Sequence, residues 1–497
     1  MSTGLFGSIL TTFSALISIG LSMSTTAVHA QSASLSGPVP GAITLAPGVF
    51  DKPPPGYVVE ERFISGTATS YALASGAPVA STGTPLATAE FRSRIVVARP
   101  QDPAMFNGTV IVEWLNVTGG TDGAPDWTYV HREIIRRGYA YVGVSAQNVG
   151  LNGGTFAMPG ILPIRKANPE RYGALLHPGD AFAFDIYTQA GKLVADAASN
   201  GVLGGLQPKR VISIGESQSA AFLVTYVNSV DPLAKTFDGF LIHSRFRGAA
   251  PLDGNFLASF QTKPGQGIAP VPFRTDLRVP VLNLITETDL LSPDVGYFPA
   301  RQPDTARLRT WEIAGAAHGD TYLMEGGMLD TGHATVEDLA RAFTPVASLF
   351  GQPTVKPISA APQHHYVLEA GLRTLASWVE TGNAPPQAAR IEVNGDTPPA
   401  MATDEIGNTR GGVRSPWVDA PTAIMSGLGQ TPGGLAGLFG STVPLDQSTL
   451  ARLYPKGRAE YLAKFAAALE TAIDGGYILS DDKAEILDLA RFLYPGH

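Results

Sequence analysis

Short apolar runs recur along the first two thirds of the chain and predict the strands of a sheet. Segments 57–64 and 91–98 alternate apolar with polar residues and predict two early antiparallel strands. Later runs are more continuously apolar and predict interior strands, at 108–117, 139–145, 211–214, 237–243, 279–286 and 308–314.

Helical spacing of apolar residues separates several of these strands. A glycine-rich loop at 118–124 leads into a helix with Trp127, Val130 and Ile134 on one face. Strand, helix and strand in alternation imply a parallel sheet with helices packed on its faces. Further helices are predicted at 180–198 and 220–227, and long Gly- and Pro-rich connections at 148–180 and 247–277 predict functional or cap-like insertions.

The C-terminal third predicts further helices and an extension of the first domain. A helix at 366–381 ends a domain that we predict to span 40–386, and an extension at 387–497 is expected to pack on its core. Amphipathic helices at 456–474 and 480–494 carry both charge signs on their polar faces, which favours packing on the core over binding to a membrane surface.

A glycine-rich loop at 407–417 lies within this extension and contains Arg410 and Arg414. We predict these two arginines as candidate contacts for an anionic or polar substrate. A structured surface loop with no contact to substrate is the alternative.

The composition argues against a nucleic-acid partner and excludes sites that need cysteine. The net charge is −8 and no strongly basic run is present, which argues against a nucleic-acid partner. The chain has no cysteine, which excludes disulfides, thiolate metal sites and a cysteine nucleophile. Metalloprotease, Walker and dinucleotide-binding motifs are missing from the sequence, so we predict neither a metal ion nor a cofactor.

The first 30 residues predict a secretory signal. An apolar stretch at 9–21 precedes polar residues and a segment, 27–30, that ends in alanine. The basic residues that usually begin such a signal are missing, so a disordered or mis-started N-terminus is the alternative. We predict a secreted or periplasmic protein that has no membrane span once the signal is removed.

Ser217 is the candidate nucleophile. It follows the apolar run 211–214 and has Gly215 and Ser219 on either side, which predicts a sharp turn between a strand and a helix. The usual pattern is G-x-S-x-G, and Ser219 replaces its last glycine with another small residue. A serine-rich helix cap after a strand is the alternative.

A serine nucleophile needs a histidine base and a carboxylate that orients the histidine. Two carboxylates, Glu287 and Asp289, follow the strand at 279–286, and the position of Asp289 favours it over Glu287. His318 follows the strand at 308–314 among small residues and is the candidate base. For the oxyanion we predict backbone donors at Gln218 and around Val117 or Thr118, in the glycine-rich loop.

Four stretches resemble the motifs of the α/β-hydrolase superfamily, and in particular a bacterial group described only as α/β-hydrolase domain proteins. They are 113–120 (EWLNVTGG), 215–219 (GESQS), 287–289 (ETD) and 314–318 (AGAAH), and the similarity runs from about residue 40 to the C-terminus. The resemblance implies an α/β-hydrolase fold, with a mostly parallel central sheet, helices on both faces, cap-like insertions and a C-terminal extension.

The same resemblance implies a serine hydrolase that cleaves a small-molecule carboxylic ester through an acyl-enzyme. Lactones, thioesters and amides are alternative substrates for the same triad. A non-catalytic binding protein on this fold is the alternative from a different class.

Overall fold

The computed structural model describes residues 33–46, 49–50, 53–154, 160–256, 267–330, 334–395 and 398–495. The predicted signal at 1–30 lies outside these ranges. Parts of both predicted insertions, 155–159 and 257–266, also lie outside them.

A nine-stranded sheet forms the centre of the described molecule, in the order β1-β2-β3-β5-β4-β6-β7-β8-β9. Strands β4 to β9 pair in parallel, whereas β1, β2 and β3 form an antiparallel edge that joins β5. The predicted α/β architecture with a mostly parallel sheet is therefore confirmed. The strands are β1 (Ser34–Ser36), β2 (Tyr57–Ala72), β3 (Thr84–Pro100), β4 (Thr109–Trp114), β5 (Ala140–Val144), β6 (Arg210–Glu216), β7 (Gly239–His243), β8 (Val281–Thr286) and β9 (Leu308–Ile313).

The bounds of the predicted interior strands lie within two residues of the observed ones, except that β4 ends three residues early. Strands β7 and β8 begin two residues late. The two early strands are longer than predicted. Strand β3 begins at Thr84 with largely exposed residues that pair with the far end of β2, and such residues carry little apolar signal.

The helices connect the strands and continue into the C-terminal part. Of the helices in the described ranges, none is long and apolar enough to cross a bilayer. The α-helices are α1 (Pro125–Arg137), α2 (Asn148–Asn152), α3 (Ile164–Ala167), α4 (Pro169–Tyr172), α5 (Ala183–Ala195), α6 (Ala197–Asn200), α7 (Gln218–Thr225), α8 (Asp231–Ala234), α9 (Glu287–Leu291), α10 (Thr321–Leu329), α11 (Val336–Ala342), α12 (Pro362–Thr381), α13 (Pro416–Asp419), α14 (Gln447–Leu453), α15 (Arg458–Asp474) and α16 (Lys483–Leu493).

Shorter elements complete the described chain. A π-helical turn, Tyr226–Val230, joins α7 to α8. Three two-stranded sheets pair Ser348–Leu349 with Gln352–Pro353, Val393–Asn394 with Ala400–Met401, and Ala423–Ser426 with Ser441–Pro444. Short 3-10 helices lie at Pro103–Met105, Asp180–Phe182, Phe298–Ala300, Leu435–Leu438 and Ser480–Asp482.

Two apolar cores cover the two faces of the sheet. Successive side chains of a strand point to opposite faces, and in β4 Val110 and Val112 belong to one core while Ile111 belongs to the other. Helices α5 and α7 bury residues in the first core, and α1, α12, α15 and α16 bury residues in the second. The sheet therefore has helices on both faces.

Aromatic stacking joins the C-terminal segment to the sheet domain. The ring of Trp417 in α13 stacks on Tyr366 in α12 with ring centroids 5.7 Å apart and meets Phe465 in α15 edge-on. Val413 pairs in parallel with Ile313 at the end of β9. The domain boundary at 386/387 stays a prediction.

Four buried ionisable side chains form a hydrogen-bonded chain that includes His243, the last residue of β7. Nδ1 of His243 is 2.8 Å from Asp126, and its Nε2 is 2.8 Å from Nε2 of His364. Nδ1 of His364 is in turn 3.2 Å from Asp320. The hydroxyl of Tyr129 and the backbone N–H of Leu323 donate to the other oxygen of Asp320. The chain thus connects β7, α1 and α12 to the start of α10.

Candidate active site

Ser217 lies in a sharp turn between β6 and α7. Its backbone has φ 60° and ψ −115°, a conformation that costs a non-glycine residue about 1–3 kcal/mol. The Ser217 N–H donates to the carbonyl oxygen of His243 in the neighbouring strand at 2.9 Å. Because the turn is held in this strained form, it has the geometry of a nucleophile elbow.

The small residues on either side of Ser217 have different structural roles. A Cβ on Gly215 would lie 2.8 Å from Cδ1 of Leu223 and 3.1 Å from Cβ of Ser219, so a side chain there would require both of these α7 residues to shift. Ser219 itself is fully buried in the first turn of α7. The departure from the G-x-S-x-G pattern therefore leaves the turn intact.

Asp289 is the carboxylate next to His318. Its Oδ1 lies 2.6 Å from Nδ1 of His318. Its Oδ2 accepts the backbone N–H and the hydroxyl of Thr286, both at 2.8 Å, in a capping box at the start of α9. The box fixes the carboxylate so that one oxygen remains directed at the histidine.

Glu287, the alternative acid, is occupied elsewhere. One of its oxygens accepts the N–H of Gly315 at 2.6 Å, and the other accepts the N–H of Gly427 at 2.8 Å. Both oxygens of this buried carboxylate thus accept hydrogen bonds from backbone N–H groups. The side chain joins the loop after β9 and the C-terminal segment to the start of α9.

The loop after β9 holds His318 against aromatic and polar neighbours. Its backbone N–H donates to the hydroxyl of Thr288 at 3.1 Å, and its ring stacks on Phe246 with centroids 5.2 Å apart. Burial lowers the pKa of His318, but the charges of Asp289 and Glu216 outweigh burial and raise this pKa above its ordinary value.

Glu216 is a site residue that the sequence reasoning missed. Its Oε1 lies 3.2 Å from Nε2 of His318, the nitrogen opposite the one that meets Asp289. The amide of Asn116 donates to its other oxygen at 3.1 Å. Burial raises the pKa of Glu216 to about 7, against the lowering effect of His318. The available signal was a carboxylate at the end of a buried strand, directly before the serine.

The predicted oxyanion donors lie around Ser217, and two of them, the N–H groups of Val117 and Thr118, already donate to other acceptors. The Val117 N–H donates to Oε1 of Gln218 at 3.3 Å, and the Thr118 N–H donates to the side-chain oxygen of Asn116 at 2.8 Å. Gln218 is the first residue of α7, so its own N–H has no acceptor within the helix.

Arg410 and Arg414 lie away from Ser217. Arg410 is half-exposed and pairs with Glu392 at 2.7 Å. Arg414 pairs with Asp419 at 2.5 Å and donates to a backbone carbonyl at 2.7 Å. Both arginines pair with carboxylates of the C-terminal segment, and neither lines a cavity at Ser217 in the described part of the chain. The structure gives no support to the predicted substrate contacts.

Two cavities meet at Ser217, and Thr118 and Leu438 line both of them. The larger, about 590 Å³ and called the large cavity below, has an apolar wall of Val149, Phe246, Phe256, Leu291, Val295 and Leu428. The smaller, about 270 Å³ and called the small cavity, contains Glu216 and His318 beside an apolar wall of Ala46, Ile161, Leu323, Met324, Phe350 and Phe439.

A family model described as an alpha/beta hydrolase domain matches residues 26–488. The chain belongs to the alpha/beta hydrolase domain family. No curated protein matches this alpha/beta hydrolase.

Solved structures resemble this alpha/beta hydrolase at low identity. One is a serine hydrolase homologue from Coxiella burnetii, with 12% identity over 49% of this chain and 89% of that one, TM-score 0.26. Another is a cold-adapted esterase from an Arctic intertidal metagenomic library, with 14% identity over 51% and 84%, TM-score 0.26. A third is an esterase from Rhizomucor miehei, with 12% identity over 64% and 85%, TM-score 0.27.

Proposed function

We propose that this alpha/beta hydrolase cleaves a carboxylic ester with Ser217 as nucleophile, His318 as base and Asp289 as the orienting acid. The observation that carries the proposal is that the strained turn at Ser217 lines the same cavity as His318, which pairs with Asp289. Asp289 lies within hydrogen-bond distance of His318, whereas both oxygens of Glu287 accept backbone N–H groups. These contacts support Asp289 over Glu287 as the acid.

Each step uses one of these groups. Nε2 of His318 takes the hydroxyl proton as Oγ of Ser217 attacks the ester carbonyl, and Asp289 stabilises the imidazolium that forms. The tetrahedral intermediate collapses as His318 returns the proton to the leaving alcohol. Water then attacks the acyl-enzyme in the same way, and the acid product leaves.

Backbone donors would stabilise the negative oxygen of each tetrahedral intermediate, at roughly 3–4 kcal/mol per donor. The Gln218 N–H at the start of α7 is one donor. The Val117 N–H becomes the second when the Gln218 side chain, which holds it weakly at 3.3 Å, moves aside. The Thr118 N–H is held more firmly by Asn116 at 2.8 Å, which favours Val117 over Thr118.

The test of the proposal is covalent labelling with a fluorophosphonate. We expect stoichiometric labelling at pH 8, because the reagent phosphonylates a serine that an adjacent histidine activates. Peptide mapping should place the adduct on Ser217. Lack of labelling by a folded protein that also fails to hydrolyse p-nitrophenyl butyrate would refute the proposal and revive the non-catalytic alternative.

Glu216, together with Asp289, should raise the lower pH limit of activity. His318 accepts a proton only when neutral, and the negative charge of Glu216 raises the pKa of His318, so neutral His318 appears only at higher pH. Glu216→Gln removes that charge. We expect the acid limb of the kcat/KM profile to move to lower pH.

The matched control is Glu405→Gln, which removes one charge at a side chain that is 77% exposed and pairs with Arg452. Its pH profile should coincide with that of the unmodified protein. An unchanged acid limb in Glu216→Gln would show that Glu216 does not act on His318.

The bond type and the compartment are also proposals. A lactone, thioester or amide would meet the same triad, and a substrate panel separates these from a simple ester. A secreted or periplasmic location follows from the predicted signal at 1–30. N-terminal sequencing of the mature protein tests it, with Gln31 expected first.

A further inference from the structure

The two cavities at Ser217 differ in the catalytic groups that they expose. Within the described residues, His318 lines the small cavity and Gln218 lines the large one, while Ser217 lines both. An ester bound at Ser217 therefore has one substituent on the side of the histidine and the other on the side of α7.

The side on which the alcohol leaves follows from the proton transfer. His318 must reach the leaving oxygen to protonate it, so the alcohol group lies toward the small cavity. The acyl group remains on Ser217 and must lie on the other side, in the large cavity. This assignment depends only on which cavity contains the proton donor.

The linings are unsuited to an anionic substrate. No lysine or arginine among the described residues lines either cavity, and the ionisable groups there are Glu216 and His318 in the small one. A carboxylate or phosphate on the substrate would be buried without a counter-charge, which is costly. Apolar side chains make up most of both walls.

The volumes set the relative sizes of the two substituents. A cavity of about 150 Å³ holds one benzene ring, so the large cavity at 590 Å³ has room for roughly four and the small cavity at 270 Å³ for fewer than two. We infer that the substrate is an ester without an anionic group, with a long or bulky apolar acyl group in the large cavity and a smaller alcohol in the small cavity. The inference rests on the proposed function.

Two homologous series of esters test the inference. One series varies the acyl chain in ethyl esters, from butanoate to tetradecanoate, and the other varies the alkyl chain in acetates over the same lengths. Each methylene that enters a cavity should raise kcat/KM by up to about fourfold. We expect kcat/KM to stop rising at a chain length roughly twice as long in the acyl series as in the acetate series, in proportion to the volumes of the two cavities.

Matched leucine substitutions assign each series to its cavity. Leu428→Trp fills part of the large cavity, and Leu323→Trp fills part of the small one. In the acyl series, Leu428→Trp should shorten the chain length at which kcat/KM stops rising (the plateau), and it should leave the acetates unchanged. Leu323→Trp should shorten the plateau of the acetates and leave the acyl series unchanged. A general disturbance of the fold would instead lower both series together.

The outcomes separate this inference from the proposed function. Equal plateaus, a longer plateau for the acetates, or parallel losses in both variants would overturn the inference while labelling of Ser217 persists. If neither series is hydrolysed and Ser217 is not labelled, the proposed function itself fails.

Discussion

Ser217→Ala should abolish ester hydrolysis, with kcat falling by roughly five to six orders of magnitude. The substitution removes the atom that attacks the carbonyl, and neither His318 nor the backbone donors can replace it. Hydrolysis of p-nitrophenyl butyrate, measured on protein of verified folding, gives the result. Fluorophosphonate labelling should be lost as well.

The control for this variant is Ser229→Ala. Ser229 is fully buried, and its hydroxyl has no partner among the described residues, so the same chemical change there should leave kcat intact. Thermal melting should show that Ser217→Ala is no less stable than the unmodified protein, because alanine needs the same backbone conformation. Turnover that survives in Ser217→Ala would eliminate the triad.

Asp289→Asn should lower kcat by about four orders of magnitude with little loss of folded protein. The asparagine oxygen must remain with the N–H of Thr286, because that donor has no other acceptor in the capping box. The amide NH₂ then faces Nδ1 of His318, which becomes an acceptor. His318 is left with its proton on Nε2, where it cannot take the proton of Ser217.

Glu287→Gln is the paired variant, and its effect should be on stability. A glutamine has one acceptor oxygen, so either Gly315 or Gly427 loses its partner and faces an NH₂ group. The cost is about 1–3 kcal/mol, seen as a lower melting temperature. Below that temperature kcat should fall by less than about tenfold. If Glu287→Gln loses more activity than Asp289→Asn, the acid is Glu287.

The sequence could predict the main parts of the site because each is local. The apolar run before Ser217, with small residues around it, determines both β6 and the turn. His318 could be placed because the strand before it is clear and parallel strands bring their ends to one edge. Local pattern was therefore enough for eight of the nine strands, all except β1, and for the order of the candidate residues.

The choice between Glu287 and Asp289 needed distant contacts. Both follow the same strand, and what distinguishes them is that Gly427, 140 residues further along the chain, donates to Glu287. The substrate contact predicted for Arg414 was unsupported for a local reason, because its guanidinium donates a hydrogen bond to Asp419, five residues away. Cavity walls formed by residues as far apart as Ala46 and Phe439 have no signature in any one stretch.

The buried chain that links Asp126, His243, His364 and Asp320 has a consequence for how its protons are distributed. It has three links, and each needs one proton, so three protons are shared along it. Moving one proton across its link would leave a histidine with protons on both ring nitrogens or on neither, unless the other protons move the same way. The four groups therefore exchange their protons together, as one unit. Because Asp320 lies two residues after His318, this unit ends beside the loop that carries the proposed base.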